Sequence, residues 1–196
     1  MSTAFIICGA LAREVMAIVA RHNWAVDVYG VPAILHMRPE RIAPAVEQKF
    51  HAIRQQYAHV LVVYGDCGTR GALDDFLDAN GLERIVGPHC YEMYGGPLFD
   101  ELMAEEPGTF FLTDFLVRGF RGTIWRGLGL DRFPELRDDY FRHYRRLVYL
   151  TQAPTADLSA KAEEIATVLD LPLEIRPTGY GQLEQRLCDW MERHAL

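Results

Sequence analysis

The chain has 196 residues, of which 49% are hydrophobic, and its formal net charge at pH 7 is −7. This length and apolar content exclude a globally disordered chain and favour one folded domain. The acidic balance leaves no basic surface for a phosphate backbone, so we expect no nucleic-acid partner. No apolar run approaches the roughly 20 residues of a membrane span, and the N-terminal residues lack the basic region of a signal peptide. We therefore predict a cytoplasmic protein without a membrane partner.

Short apolar runs alternate along the chain with helical patterns, which is typical of parallel strands joined by crossover helices. In chain order the strand candidates are AFIIC, VDVYGVPAILH, HVLVVYG, RIVG, TFFLT, RRLVYLT and LPLEIRP. Helical patterns follow Cys8 and Pro39 and recur near residues 71–79, 97–105, 156–169 and 182–194. This order predicts an α/β fold with a mostly parallel, doubly wound sheet of about six to seven strands. We expect one domain over residues 1–196.

Residues 114–144 interrupt this alternation with a long segment that is rich in aromatic residues and arginine. We predict a helical insertion within the domain. The plainer interpretation is an amphipathic helical pair that packs its aromatic residues on the sheet. The alternatives are a lid over a site or a dimer surface, and a dimer surface would make the protein a homo-oligomer.

Three of the four cysteines lie where predicted strands end, namely Cys8 in IICGA, Cys67 in YGDCG and Cys90 in VGPHC. The carboxyl ends of parallel strands meet at one edge of the sheet, where ligands bind in open α/β folds. Converging thiolates repel one another without a cation, so we predict a metal site formed by these three residues. Each cysteine could instead be a small core residue, and Cys188 on the last helix is expected to be one.

Neighbouring residues offer further ligands or proton donors. His36 follows a strand, whereas His89 is adjacent to Cys90, and adjacent side chains of an extended backbone point in opposite directions. His36 is therefore the better candidate for a fourth ligand, and His36, His89 and Glu92 are candidates for moving a proton. GDCGTRG is also a weak candidate for an anion-binding loop in which Gly68 and Arg70 contact a phosphate or a cofactor.

Five motifs resemble a bacterial and archaeal family known as domain of unknown function 1638: IICGALAREV, LHMRPE, YGDCG, GPHCYEMYGG and YRRLVYLTQ. The resemblance extends over nearly the whole chain. It implies a genomic context near corrinoid-dependent methyltransferases for methylated amines and betaines, and hence a role in one-carbon metabolism. It implies no catalytic residues.

These observations lead to three functional hypotheses. The first is a metal-dependent enzyme or accessory protein of methyl-group transfer, with zinc as the favoured metal and a small-molecule substrate in an open coordination position. The second is an iron–sulfur cluster in which one iron lacks a protein ligand. The third is a non-enzymatic partner of a corrinoid protein or methyltransferase, in which the metal is structural and residues 114–144 contact the partner.

Overall fold

We describe the protein from a computed structural model that covers residues 2–194. The chain divides into two compact units, the first formed by residues 2–93 with 182–194 and the second by residues 94–181. Each unit carries one parallel sheet. A single domain over residues 1–196 stays a prediction. No helix within residues 2–194 is long and apolar enough to cross a membrane.

The first unit contains a four-stranded sheet in the order β2-β1-β3-β4, and the second contains a three-stranded sheet in the order β5-β6-β7. All neighbouring strands are parallel. The strands are β1 (Thr3–Cys8), β2 (Val26–Val31), β3 (His59–Val63), β4 (Glu83–Arg84), β5 (Thr109–Leu112), β6 (Arg146–Thr151) and β7 (Leu173–Pro177).

Helices connect successive strands in both units. They are α1 (Ala12–Arg21), α2 (Ile42–Ile53), α3 (Ala72–Ala79), α4 (Cys90–Gly95), α5 (Pro97–Glu105), α6 (Asp114–Phe120), α7 (Leu136–Phe141), α8 (Ala156–Leu169) and α9 (Gly181–His194). Short 3-10 helices at Gly9–Leu11, Ala33–Met37 and Pro39–Arg41 and a π-helix at Arg121–Trp125 complete the helical structure of the described residues.

The predicted α/β class with parallel strands is confirmed, although the strands are divided between two sheets. The extended stretch that begins at Val26 stops at Val31, because Pro32 cannot donate to a strand ladder, and His36 lies on the 3-10 helix that follows. RIVG contributes little to the sheet, since β4 consists only of Glu83–Arg84. Residues 114–144 contain α6, the π-helix and α7, and their role as an insertion within one domain stays a prediction.

Strand β1 is the core of the first unit. All six of its residues are buried, as expected for a central parallel strand covered on both faces. The chain passes from β1 to β2 at one side and then returns to β3 on the other side of β1. The carboxyl ends of β1 and β3 therefore form a topological switch point, the place where ligands bind in open α/β sheets.

Candidate functional site

The three predicted cysteines belong to the first unit and follow three of its strands. Cys8 is the last residue of β1, Cys67 lies in the loop after β3, and Cys90 is the first residue of α4, after β4. The thiols are close enough to affect one another's ionisation. Burial, and next the charge of Cys8, raise the pKa of Cys67 to about 12. Burial raises the pKa of Cys90, and Cys8 and Cys67 raise it further.

Close backbone contacts bring these loops together. A Cβ atom at Gly65 would lie 2.8 Å from the backbone of His89, so only glycine fits between the β3 loop and the segment before Cys90. The Cys67 N–H donates to the Pro88 carbonyl over 2.8 Å, which links the same two segments. On the other side of β1, a Cβ atom at Gly9 would lie 3.0 Å from the Val31 carbonyl oxygen. The site is thus assembled by backbone packing.

Cys67 has a backbone conformation that side chains rarely adopt, with φ at 48°. The turn is held by Asp66, whose carboxylate accepts hydrogen bonds from the Thr69 hydroxyl at 2.7 Å and from the Gly68 and Gly71 N–H groups at 3.1 and 3.2 Å. These bonds, led by that from Thr69, lower the pKa of Asp66. A sequence argument could have found Asp66, because an aspartate that begins a glycine-rich turn commonly caps the N–H groups that follow.

His36 lies beside Cys8. Its Nε2 atom lies 4.0 Å from the Sγ atom of Cys8, and its Nδ1 atom is 2.8 Å from the carbonyl oxygen of Ala33. A carbonyl can only accept, so Nδ1 carries the proton and the lone pair of Nε2 faces the thiol. Metal-binding histidines typically have this arrangement, with the second nitrogen donating to a carbonyl.

Tyr64 completes this side of the site. Its ring stacks on His36, with centroids 5.7 Å apart and an interplanar angle of 14°, and the residue is fully buried. Within residues 2–194 the hydroxyl forms no hydrogen bond of normal length and angle, although it interacts with the thiol of Cys8. Burial, and then the charge and polar interaction of Cys8, raise its pKa above the ordinary value, with smaller contributions from Cys67 and Cys90. The hydroxyl is therefore within electrostatic range of the three cysteines but has no hydrogen bond of good geometry.

Sequence reasoning overlooked Tyr64 because it directly continues the apolar run of β3. It also overlooked Glu14, which is 5% exposed on α1 and whose charge contributes to the raised pKa of Cys90. A carboxylate in the first turn of a helix is ordinary, since it complements the helix dipole. Its burial, which no sequence pattern signals, is what sets Glu14 apart.

The other predicted site residues lie near the cysteines but make specific contacts elsewhere. Glu92 forms a two-pronged ion pair with Arg186 on α9, at 2.5 and 2.8 Å. His89 is partly buried, which lowers its pKa, and its ring contacts that of Tyr91. In the proposed anion loop, the Gly68 N–H is already used by Asp66, and the side chain of Arg70 is exposed. Their predicted functional roles stay predictions.

Cys188 differs from the expected core residue. It is partly exposed, and its Sγ atom lies 3.7 Å from the Nε2 atom of His22. The buried face of α9 is formed by Leu183, Leu187 and Trp190. Cys188 falls beside that apolar stripe rather than within it.

The thiols do not form a ready coordination sphere. Among residues 2–194, no group of three or more histidine, cysteine, aspartate or glutamate side chains has an arrangement that could hold a metal ion. The structure thus brings the three cysteines within electrostatic reach of one another, and the metal site stays a prediction. Coordination would require the side chains to turn toward a shared ion.

Comparison with known proteins gives one family. Searches of curated proteins and of solved structures found no match. One family profile matches residues 31–187, which include His36, Cys67 and Cys90 but not Cys8. Since this match covers most of the chain, the protein belongs to the family described as Protein of unknown function (DUF1638).

Proposed function

We propose that the first unit binds a metal through Cys8, Cys67 and Cys90 and acts as a metal-dependent enzyme or accessory protein in methyl-group transfer. One observation carries the proposal: three thiols, at or after the ends of three strands, interact electrostatically near the switch point of the sheet. Each thiolate disfavours ionisation of the others, and a bound cation would reverse that effect. A metal site therefore explains the proximity of three unpaired cysteines better than hydrophobic packing does.

The surroundings of the cysteines fit a metal in two further respects. The 4.0 Å between Cys8 Sγ and His36 Nε2 is close to the spacing of about 3.6 Å expected for sulfur and nitrogen ligands of one tetrahedral zinc ion. The Tyr64 hydroxyl has no hydrogen bond of good geometry in the described chain, and a metal-bound thiolate or an anion would accept one. His36 is accordingly our preferred fourth ligand or proton carrier.

Zinc is the favoured metal, with a small-molecule substrate at an open coordination position. Zinc held by thiolates lowers the pKa of a bound water or thiol and so supplies a nucleophile near neutral pH. In that arrangement His36 would accept the proton through Nε2, while the carbonyl of Ala33 holds the other nitrogen protonated. His89 is the second candidate for this role, because its lowered pKa favours the neutral form that can accept a proton. The resemblance to the family adds a corrinoid protein or methyltransferase as the expected partner, and we expect this protein itself to be cytoplasmic.

The test begins with anaerobic purification of the full chain, followed by metal analysis and an absorption spectrum. We expect about one zinc per chain, lost on alanine substitution of Cys8, Cys67 or Cys90 and retained in Cys188→Ser. Broad visible absorbance with bound iron and sulfide would replace zinc by a cluster and keep the same ligands. A metal-free protein that binds neither zinc nor iron under reducing conditions would contradict the proposal.

A further inference from the structure

The second unit contains a cavity that the cysteine site does not use. It has a volume of about 350 Å³ and lies between α8 and the segment formed by α6 and the π-helix. This volume is within the range of small-molecule sites, which begins at about 300 Å³. Its apolar lining comes from Val117, Phe120, Ile165 and Val168.

The cavity wall has an unusual backbone. Arg121–Trp125 forms a π-helix, a conformation that is rare in proteins and is frequently found at functional sites. Two glycines, Gly119 and Gly122, line the same wall, and a Cβ atom at Gly122 would meet no atom within 4 Å. Gly122 thus leaves open space at one point of this wall.

Charged side chains at the cavity favour an anion. Arg118, Arg121 and Lys161 line it, against one carboxylate, that of Glu164. Arg118 is held by Asp114 at 3.2 Å, and Lys161 pairs with Asp157 at 2.8 Å. Arg121 forms no ion pair or side-chain hydrogen bond with any residue from 2 to 194; its guanidinium lies 5.3 Å from the centre of the Trp125 ring. Arg121 is therefore the cation most available to a ligand.

Arg118, the second arginine of the cavity, is held in place by its ion pair with Asp114. The carboxylate of Asp114 is fully buried and accepts hydrogen bonds from the Tyr149 hydroxyl at 2.6 Å and from the Gln152 and Ala153 N–H groups at 3.1 and 3.0 Å. This network holds Asp114 in place, and Asp114 in turn orients Arg118 toward the cavity. Groups that are already ordered lose less entropy when a ligand binds.

From these features we infer that the cavity binds a small monocarboxylate with an apolar body. The carboxylate is recognised by Arg121 and Arg118, because a guanidinium matches carboxylate geometry with two parallel hydrogen bonds. The hydrocarbon part contacts Val117, Ile165 and Val168. This inference is independent of the cysteine site and gives a binding function to the aromatic and arginine-rich segment.

The experiment uses octanoate as the probe and octylammonium as a probe of equal length and opposite charge. Isothermal titration of the full chain should show saturable binding of octanoate below its micelle concentration and no comparable binding of octylammonium. Arg121→Gln should weaken octanoate binding by about tenfold to a hundredfold, the effect expected for loss of a hydrogen bond to a charged group. Glu164→Gln should strengthen it, because a like charge is removed.

Arg132→Gln is the matched control. Arg132 is also exposed, also lies over an aromatic ring, that of Phe133, and does not line the cavity. Its substitution should leave the octanoate affinity unchanged, and circular dichroism would confirm that all variants fold. Absence of saturable binding, equal binding of the two probes, or equal effects of Arg121→Gln and Arg132→Gln would each overturn the inference.

Discussion

The hydroxyl of Tyr64, which lacks a hydrogen bond of good geometry, leads to a prediction about Tyr64→Phe. The substitution should be harmless or favourable in the metal-free protein and unfavourable for metal binding. Tyr64→Phe removes only this hydroxyl from a residue that is fully buried. In the metal-free protein we expect the free energy of unfolding to stay the same or to rise. In the metal-bound protein the same substitution should weaken metal binding, because a thiolate or bound anion accepts hydrogen bonds much better than a thiol does.

The magnitudes follow from the desolvation of the hydroxyl. A buried hydroxyl without a partner is unfavourable by about 1–3 kcal/mol, and the small void left by its removal offsets part of that gain. We therefore expect the metal-free variant to be between equally stable and about 2 kcal/mol more stable than the wild type. A hydrogen bond to a charged acceptor contributes about 1.5–3 kcal/mol, so the metal affinity should fall by about tenfold to a hundredfold.

Urea unfolding under reducing, metal-free conditions measures the first quantity, and competition with a zinc chelator measures the second. Tyr149→Phe is the control, since Tyr149 is also fully buried but donates a 2.6 Å hydrogen bond to the buried carboxylate of Asp114. This control should lose about 2–4 kcal/mol of stability and leave zinc affinity unchanged. If Tyr64→Phe destabilised the metal-free protein as much as Tyr149→Phe does, the hydroxyl would have a partner and the reasoning would be refuted.

Four further predictions concern the thiols and the turn. Alanine substitutions at Cys8, Cys67 and Cys90 should each reduce the metal content, and the losses should not add in double variants, because ligands of one ion act as a unit. Additive losses in metal analysis would indicate separate sites. Cys188→Ser should leave the metal content unchanged and should change the free energy of unfolding by no more than about 1 kcal/mol. Loss of metal in this variant would place Cys188 in the site. The lowered pKa of Asp66 means that its carboxylate stabilises the folded state above the ordinary carboxyl pKa and that this contribution is lost as pH falls through the folded pKa. Asp66→Asn should thus lower stability at pH 7 and flatten its acid dependence, and unchanged urea curves from pH 3 to 7 would contradict this. Cys67→Gly should keep or raise stability by about 1 kcal/mol while abolishing metal binding, whereas a less stable variant would show that the thiol packs as core.

The convergence of the cysteines could be predicted because it depends only on strand direction. Once the alternation of strands and helices indicates a parallel sheet, residues that follow strands must lie at one edge, whatever their separation in sequence. Cys8, Cys67 and Cys90 satisfy that condition through β1, β3 and β4. The contacts of the individual side chains could not be predicted in this way, because Tyr64 and Glu92 acquire their surroundings from residues distant in the chain.

The division into two sheets could not be predicted for a related reason. Periodicity identifies a strand by its own residues, whereas sheet order depends on which strands exchange hydrogen bonds. β4 is paired over only two residues, Glu83 and Arg84, and β5 pairs with β6 rather than with β4. The same alternation of elements is compatible with one sheet of seven strands or with two smaller ones.

The backbone at Cys67 connects the fold to the proposed site. Glycine adopts φ near +48° without strain, and three other residues of this loop have positive φ, namely Gly68, Arg70 and Gly71. A cysteine at the same kind of position carries a conformational penalty of about 1 kcal/mol that glycine would avoid. The surrounding hydrogen bonds, from Cys67 to the Pro88 carbonyl and from the turn to Asp66, hold the residue in that conformation. A requirement for a thiol would explain why position 67 is cysteine rather than glycine, in keeping with the proposed role of Cys67 as a ligand.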